Sequence, residues 1–439
     1  MESNITWIFK MSTDTFHQEH FLAGKKIIVA GAGIAGVSFT IALRKLWPTI
    51  SDPGSSLDPV SITIYERDAQ DVIMEREGSS LSIRGDTYSG GMQALRKLGL
   101  LEPMLRASLT GVKGDKGGFA IWDKDWKELI RMEARNPDPS LPAASMRIMR
   151  RELRRILLEA VPASDIIHWA TFCTGAVQLS NGRVQVQLSN GKTDECDILV
   201  AADGASSKIR AFLRPDDKLL FAGAVCISGV ARFPDGIPKP VDRDWGPVVG
   251  ASGTGLFVSP MDKDRALWSL SYLVPTPREK LQQPIAQAQA DELLQETLDR
   301  GKQFAQPFKT LVQAADISTL SIYNAKDKNP FPHVDKNQKF GHVIFIGDSN
   351  HAMSPFAGNG ANMALMDGWE LAEQLCKSRS LMAALMAYDA SSMPRSKSAI
   401  QMSRRTISMA HAQGWRLAVN LTFLKLMKLV FFRAYLKQD

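Results

Sequence analysis

A short apolar run, Lys26-Ile27-Ile28-Val29-Ala30, that breaks into glycines at Gly31, Gly33 and Gly36 constrains this chain more than any other stretch. Four apolar residues in succession are what a strand covered on both faces requires. Beyond the break, Ile34, Val37 and Ile41 recur at helical intervals until Trp47 meets Pro48, which ends the helix. The spacing predicts a strand, a tight turn and a helix. In such a unit Gly31 permits the turn, Gly33 lets the backbone approach a pyrophosphate, and Gly36 lets helix and strand pack closely. The free N–H groups at the helix start, contributed by Ile34, Ala35 and Gly36, carry about half a positive charge and would face the phosphates.

Glycines cluster in many turns, so the context matters. A second strand, Val60 to Tyr65, ends on Glu66, where a dinucleotide turn needs a carboxylate to accept hydrogen bonds from ribose hydroxyls. Glu66 comes later than the usual ~20 residues from the start of the motif. The stretch from Pro48 to Pro59, rich in Pro, Ser, Gly and Asp, accounts for the excess as a loop inserted between helix and strand.

At 439 residues and 44% hydrophobic, the chain exceeds what one core usually supports, and two domains sharing a ligand are expected. The formal charge of +7 is modest for this length. Arg147, Arg150, Arg151, Arg154 and Arg155 form the densest basic cluster, which reads as a solvated helix face. No aromatic residues interleave with it, which argues against a nucleic-acid partner. Cys173, Cys196, Cys226 and Cys376 lie far apart and form no C-x-x-C pair, so no zinc site, disulfide framework or other metal site is expected, and a reducing, cytoplasmic setting is. Residues 1–24 lack the apolar core of a signal peptide and read as a leader, with Met11 an alternative start.

Further along, a helix is expected from Ser89 to Leu98, stopped by Gly99, and residues 103–146 read as short strands and loops. Helical spacing returns from Met149 to Ala160. Two copies of Val-Gln-Leu-Ser-Asn-Gly, at 177–182 and 186–191, predict a meander with type I′ turns at the Asn-Gly pairs. A buried strand at Asp197 to Ala202 ends in Asp203-Gly204. Alternating segments between 216 and 339 suit an antiparallel sheet with one covered face and a helix near Asp291 to Leu298. A last buried strand, His342 to Ile346, opens into Gly347-Asp348 and a glycine-bearing turn that feeds a helix from Asn362 to Cys376.

Three of these stretches occur in a fixed order: Gly31-x-Gly33-x-x-Gly36, then Asp203-Gly204, then Gly347-Asp348 through Pro355, Gly358, Gly360, Ala361 and Asn362. With them the chain resembles the FAD-dependent aromatic hydroxylases, single-component flavoprotein monooxygenases of the p-hydroxybenzoate hydroxylase fold, over most of residues 25–400. It is most similar there to tetracycline-degrading and fungal secondary-metabolite enzymes. The resemblance implies an α/β fold: a Rossmann-type FAD-binding domain (25–105 with 147–215 and 340–400), an inserted antiparallel-sheet substrate domain (106–146 with 216–339) and C-terminal bridging helices (401–439). It places Glu66 and Arg67 at the adenosine end of FAD and Arg150 near the ribityl and phosphate region. Asp348 would bond the ribityl chain, and Pro355, Gly358, Gly360, Ala361 and Asn362 would shape the loop beside the isoalloxazine. Asp203 has a competing reading as a residue that only ties two strands together, and His351 one as a structural hydrogen-bonder. Ser82 stands where close relatives carry an aspartate that contacts the flavin, and Asn359 where the tetracycline-degrading enzymes carry glutamine.

The implied activity uses NADPH or NADH as a transient reductant and O2 to hydroxylate an aromatic or polycyclic small molecule through a flavin C4a-hydroperoxide. No protein nucleophile is required, because the cofactor carries the hard chemistry. Arg232 and Tyr272 are candidate substrate-side groups, each of a type more often packed or solvated. No second G-x-G-x-x-G follows, which argues against a permanently bound nicotinamide domain. A flavin-dependent reductase and a flavin-binding interaction module are the alternatives. The apolar tail, Leu417 to Phe432, spans sixteen residues and contains Lys425 and Lys428. A bilayer needs ~20 residues, and each central lysine costs roughly 2.5–3.5 kcal/mol, so the tail reads as a bridging helix or as one touching a membrane surface.

Overall fold

The computed structural model describes residues 19–49, 59–70, 80–110, 117–132, 138, 140–334 and 341–435. In chain order these form β1 (Lys26–Ala30), α1 (Ile34–Leu46), β2 (Ser61–Tyr65), β3 (Ser80–Arg84), α2 (Gly91–Leu98), α3 (Leu101–Arg106), β4 (Ser108–Thr110), β5 (Phe119–Asp123), β6 (Glu128–Met132), β7 (Ser145–Met149) and α4 (Arg150–Glu159). Next come β8 (Ile166–His168), β9 (Cys173–Gln178), β10 (Val184–Leu188), β11 (Thr193–Cys196), β12 (Ile198–Ala201), α5 (Lys208–Leu213), β13 (Leu220–Arg232), β14 (Gly246–Ala251), β15 (Thr254–Pro260) and β16 (Arg265–Leu273). The chain continues through α6 (Gln287–Arg300), α7 (Phe308–Gln313), β17 (Ala315–Asp327), β18 (Val343–Phe345), α8 (Asp348–His351), α9 (Gly360–Lys377), α10 (Leu381–Ala410) and α11 (Gly414–Tyr435).

The unbroken apolar run of β1 is explained by its place. It is the middle strand of a parallel sheet ordered β18-β12-β1-β2-β8 and is covered on both faces. Ile27 and Val29 join Ile62, Ile64, Val200 and Ile344 under α1 and α9. Ile28 and Ala30 point the other way, with Leu199, Ala201 and Phe345, onto the meander β11-β10-β9. Helix α9 also packs along α1, where a Cβ on Gly368 would meet the Ala35 carbonyl at 2.8 Å. A small sheet, β3-β7-β4, flanks this half.

The second half is a seven-stranded sheet ordered β17-β13-β16-β15-β14-β5-β6, in which β5 and β14 run parallel and the other neighbours antiparallel. Its one face, with Val225, Ile227, Leu256, Trp268 and Leu270, packs against α6 and α7. Its other face turns toward the parallel-sheet half. Helix α10 crosses between the two, from Ser392 bonded to Asp367 on α9 to His411 bonded to Ser271 on β16. Helix α11 lies on β6 through Leu421 and Leu424 against Leu129 and Ile130, and exposes Trp415, Val419 and Phe423 on its far side. No helix among the described residues is long and apolar enough to cross a membrane.

Three sequence expectations are corrected. Residues 103–106, at the start of the stretch read as strands and loops, belong to α3, whose Leu101 and Met104 enter the main core. The meander turns are not type I′: Gly182 (φ 84°) and Gly191 (φ 81°) are left-handed, while the asparagines before them keep negative φ. Gly182 N–H returns to the Leu179 carbonyl and Leu179 N–H to Arg183, a type I turn closed by a left-handed glycine. Nor are the five arginines one solvated face, because Arg147 and Arg154 are buried, while Arg151 pairs along α4 with Glu152 and Arg155 with Glu152 and Glu159. Most of the leader, the Pro48–Pro59 loop and the side chains of Lys425 and Lys428 lie outside the described residues. Residues 19–24 form a turn that buries Leu22.

A Cβ at Gly36 would stand 2.2 Å from the Gly31 carbonyl oxygen and 3.0 Å from Val29. Gly36→Val is therefore expected to cost about 3 kcal/mol through overpacking between α1 and β1. Chemical denaturation should show the loss as a lowered midpoint with an unchanged slope.

Candidate active site

The three motifs that are far apart in sequence meet at the C-terminal ends of β1, β12 and β18. A Cβ on Gly31 (φ 108°) would lie 2.6 Å from the Ala202 carbonyl, and one on Gly347 would lie 3.1 Å from Ala35 Cβ. Arg210 on α5 links the other two turns, donating to the carbonyls of Ala205 and, at 2.7 Å, Ser349. Such strand ends are where open α/β sheets hold ligands, since the turns there leave backbone N–H groups unpaired.

Gly33 differs from its two partners. Its Cβ position is open, the nearest atom being the Ala202 carbonyl at 4.0 Å, and no side chain caps the N-terminus of α1 behind it. Glu66 supports this turn from below. It accepts from Ala32 N–H (2.7 Å) and Asp68 N–H (3.0 Å) and pairs with Arg154 (3.3 Å), whose Nε donates to the Ala32 carbonyl. A carboxylate has about four acceptor positions, so capacity for a ribose hydroxyl remains. Arg67 beside it is exposed.

Asp203 caps α5: its Oδ2 accepts from Lys208 N–H (2.8 Å) and Ile209 N–H (3.3 Å). Its Oδ1 is buried without a partner, and burial pushes its ionisation upward. The structural role is thus present, and one oxygen remains uncommitted. Gly204 follows in the left-handed turn with nothing near its Cβ position.

Asp348 opens the third turn. Burial raises its carboxyl, against the lowering charges of His351, Arg150 and Arg210. Behind it lies Asp367 on α9, fully buried, which accepts from Gly347 N–H (2.9 Å), the His351 ring (2.5 Å), Ser392 (3.0 Å) and Arg395 (2.9 Å). Burial pushes Asp367 up, but His351, Arg395 and the Gly347 N–H outweigh it and hold the carboxyl well below its ordinary range. Burial pushes His351 down, and the charge and hydrogen bond of Asp367 outweigh that and leave it raised. His351 is thus a structural hydrogen-bonder.

The turn then runs through Pro355 to Gly358, fixed to α10 by Ser354 against Ser403. Gly358 and Gly360 have nothing within 4 Å of their Cβ positions. Asn362 and Asn359 latch the turn to β3. Asn362 accepts from Arg84 N–H (2.9 Å) and donates to the Ser82 carbonyl (3.0 Å), while Asn359 accepts from Arg84 and Ser89. Ala361 packs on the main core. Ser82 itself receives Arg147 Nη1 at 2.9 Å.

The strand register identifies which side chains of the large sheet face this turn. Cys226 pairs with Ser271 and Tyr323, and Ser228 with Ser269, which in turn pairs with Phe257, so these six share the face opposite α6. Ser228 and Ser269 bond each other at 2.7 Å, and His411 bonds Ser271 while its ring stands 5.8 Å from Phe356 of the turn. Tyr323 is 41% exposed, and its hydroxyl is raised by partial desolvation and by the nearby charge of Asp348.

Both candidate substrate-side residues lie elsewhere. Tyr272 pairs with Val225 and turns toward α6, where its hydroxyl meets Glu296 and Arg278 and its ring lies under Arg300 at 3.7 Å. Arg232, at the end of β13, is exposed and pairs with Asp316 at 3.2 Å. Strand alternation alone could have assigned Tyr272 and Tyr323 to opposite faces had the bulges in β13 been visible. Asp367, Phe257, Tyr323 and His411 carry no motif and were not singled out from the sequence.

Comparison with known proteins gives a consistent result. The FAD binding domain family matches residues 26–403. The monooxygenase cfoF of Aspergillus candidus is 40% identical over 413 residues, covering 90% of this chain and 93% of that one. Among solved structures, Klebsiella pneumoniae HpxO complexed with FAD and uric acid matches with a TM-score of 0.72 at 20% identity, covering 92% of this chain and 94% of that one. The tetracycline destructase Tet(51) matches with a TM-score of 0.62 at 18% identity, covering 92% and 97%. The residues present here fit FAD: an open glycine turn, an uncommitted Asp203 oxygen and clear space at Gly358 and Gly360.

Gly33→Ala should leave the thermal midpoint unchanged, because its Cβ meets no protein atom. It should weaken FAD retention about tenfold or more by occupying the space a phosphate needs, as flavin absorbance after gel filtration would report. Asp367→Asn should cost about 3–5 kcal/mol by leaving buried cations uncompensated. The pH dependence follows from both shifts. The depressed Asp367 contributes in full above about pH 4 and its part is lost as pH falls through its folded value. The raised His351 contributes in full below about pH 6.5 and its part is lost as pH rises through its folded value. The difference in denaturation free energy between native protein and Asp367→Asn should therefore be greatest between about pH 4 and 6.5.

Proposed function

This chain belongs to the FAD binding domain family and is an FAD-dependent monooxygenase, and on that footing we propose that it takes hydride from NADPH or NADH and uses O2 to hydroxylate an aromatic or polycyclic small molecule. The observation that carries the reading is the cleft itself: three cofactor-type turns on one wall, and across from them a sheet face of small residues. Cys226, Ser228, Ser269 and Ser271 are short, and Gly255 lies beside them, so this face leaves depth for a broad ring system. Phe257 and Tyr323 offer aromatic edges to it.

Bound at these turns, FAD supplies the redox chemistry, accepting hydride and activating O2. The protein holds and shields it. Ile34, Ala35 and Gly36 at the start of α1 hold the pyrophosphate with Arg150, while Glu66, with Arg67 alongside, accepts from the ribose. Asp348 accepts from the ribityl hydroxyls, and Pro355, Ala361 and the N-terminal N–H groups of α9 at Gly360 hold negative charge on the ring. His411 and Phe356 close the end of the cleft between turn and sheet, which keeps water from the reacting atoms.

Purified protein should be yellow, bleach on adding NADPH or NADH and recover its colour in air. With isotopically heavy O2 and a panel of phenolic, indolic and tetracycline-type compounds, the product should gain one labelled oxygen atom. Reduction of a substrate double bond with no added oxygen would favour a reductase, and flavin that neither reductant bleaches would favour a binding module.

A further inference from the structure

Arg147, in the middle of β7, is 4% exposed and has no ion pair among the described residues. Its Nη1 donates to Ser82 Oγ (2.9 Å), and its Nη2 donates to the Ser80 carbonyl (3.0 Å) and to the Ser80 hydroxyl. Its Nε is buried with no acceptor, and no carboxylate among the described residues is within ion-pair reach. Of the other deeply buried arginines of the site, Arg154 pairs with Glu66 and Arg395 with Asp367 and Glu370, while Arg210 bonds only carbonyls but has the charges of Asp217, Asp203 and Asp348 near it. Hydroxyls and a carbonyl supply dipoles to Arg147 but no counter-charge, and burial alone pushes its guanidinium down to about 9. An unpaired buried ion costs several kcal/mol, a cost that an anion reaching it would offset.

The place of Arg147 indicates where that anion comes from. Its guanidinium carbon stands 5.7 Å from the ring centre of Phe257, on the cleft face of the large sheet. Ser259, two residues on, bonds Ser80 at 3.3 Å, and the carbonyl of Ser82 accepts from Asn362 in the first turn of α9. Arg147 therefore stands where the small sheet, the cleft face and the 358–362 turn converge. We propose that Arg147 is the specificity residue of the cleft and receives an anionic oxygen, a carboxylate or an acidic phenol or enol, on a planar substrate whose ring lies along Phe257. This rests on the reading of the cleft as a flavin and substrate site. The same chemistry could come from the flavin ring when reduced, and the two sources are separable.

The test uses holoenzyme and a shape-matched pair of probes, 2-naphthoate and 2-naphthamide, titrated against the flavin absorbance spectrum at neutral pH. The native protein should bind the anion at least about tenfold more tightly than the amide, equivalent to about 1.4 kcal/mol. Arg147→Met should bring the two within about twofold, while Arg147→Lys should keep part of the preference. Should the methionine variant not fold, Arg147→Gln, which keeps donors toward Ser80 and Ser82, serves for the same comparison. Equal affinities in the native protein, no binding of either probe at millimolar concentration, or an unchanged preference in the neutral variants overturns the assignment. So does a shift of the flavin reduction potential in ligand-free Arg147→Met with the probe preference intact, since the charge would then serve the cofactor. A protein that stays colourless with excess FAD sinks the functional reading itself, whereas a yellow one without charge preference sinks only this inference.

Discussion

The carboxylate of Asp367 holds four groups at once: the Gly347 N–H, the His351 ring, the Ser392 hydroxyl and the Arg395 guanidinium. It comes from the middle of α9, yet it fixes the turn that precedes α9 and the helix that follows. Taking an ion of this kind out of water costs several kcal/mol, and the cost is offset only when every partner is in place. Glu370 supplies a second negative charge to Arg395, so the cluster is close to neutral as a whole. The turn after β18, α9 and α10 are consequently tied together by one side chain.

The parallel half was legible because its signals are local. Apolar runs, glycine spacing and the Glu66 terminus each announce themselves within a few residues, and β1, α1, β12 and the α9 turn stand where they were expected. The cleft was less so. Arg147, Arg150, Arg151, Arg154 and Arg155 look alike in sequence, but Arg154 balances Glu66, Arg151 and Arg155 pair along their own helix and Arg147 has no ion pair among the described residues. Those fates depend on Ser80, Ser82 and Glu66, tens of residues away, and no periodicity records them.

The large sheet failed as a sequence problem for another reason. Its faces are distinguished by strand alternation, and β13 is irregular between Phe221 and Val225 and again between Ser228 and Val230 against β17. Each irregularity resets which side chains point at the cleft. Tyr272 and Tyr323 are equally aromatic and equally placed on strands, yet one faces α6 and the other the opposite side of the sheet.

The strand order β18-β12-β1-β2-β8 also sets a timetable for biosynthesis. β18 leaves the ribosome about three hundred residues after β1. Only about 140 of those residues separate β12 from β18, so at about 5–20 residues per second, on the order of 7–30 s pass during which β12 presents a bare edge. Yield in the cell is therefore governed by how well that unfinished edge is shielded during translation, a quantity separate from the stability of the completed molecule.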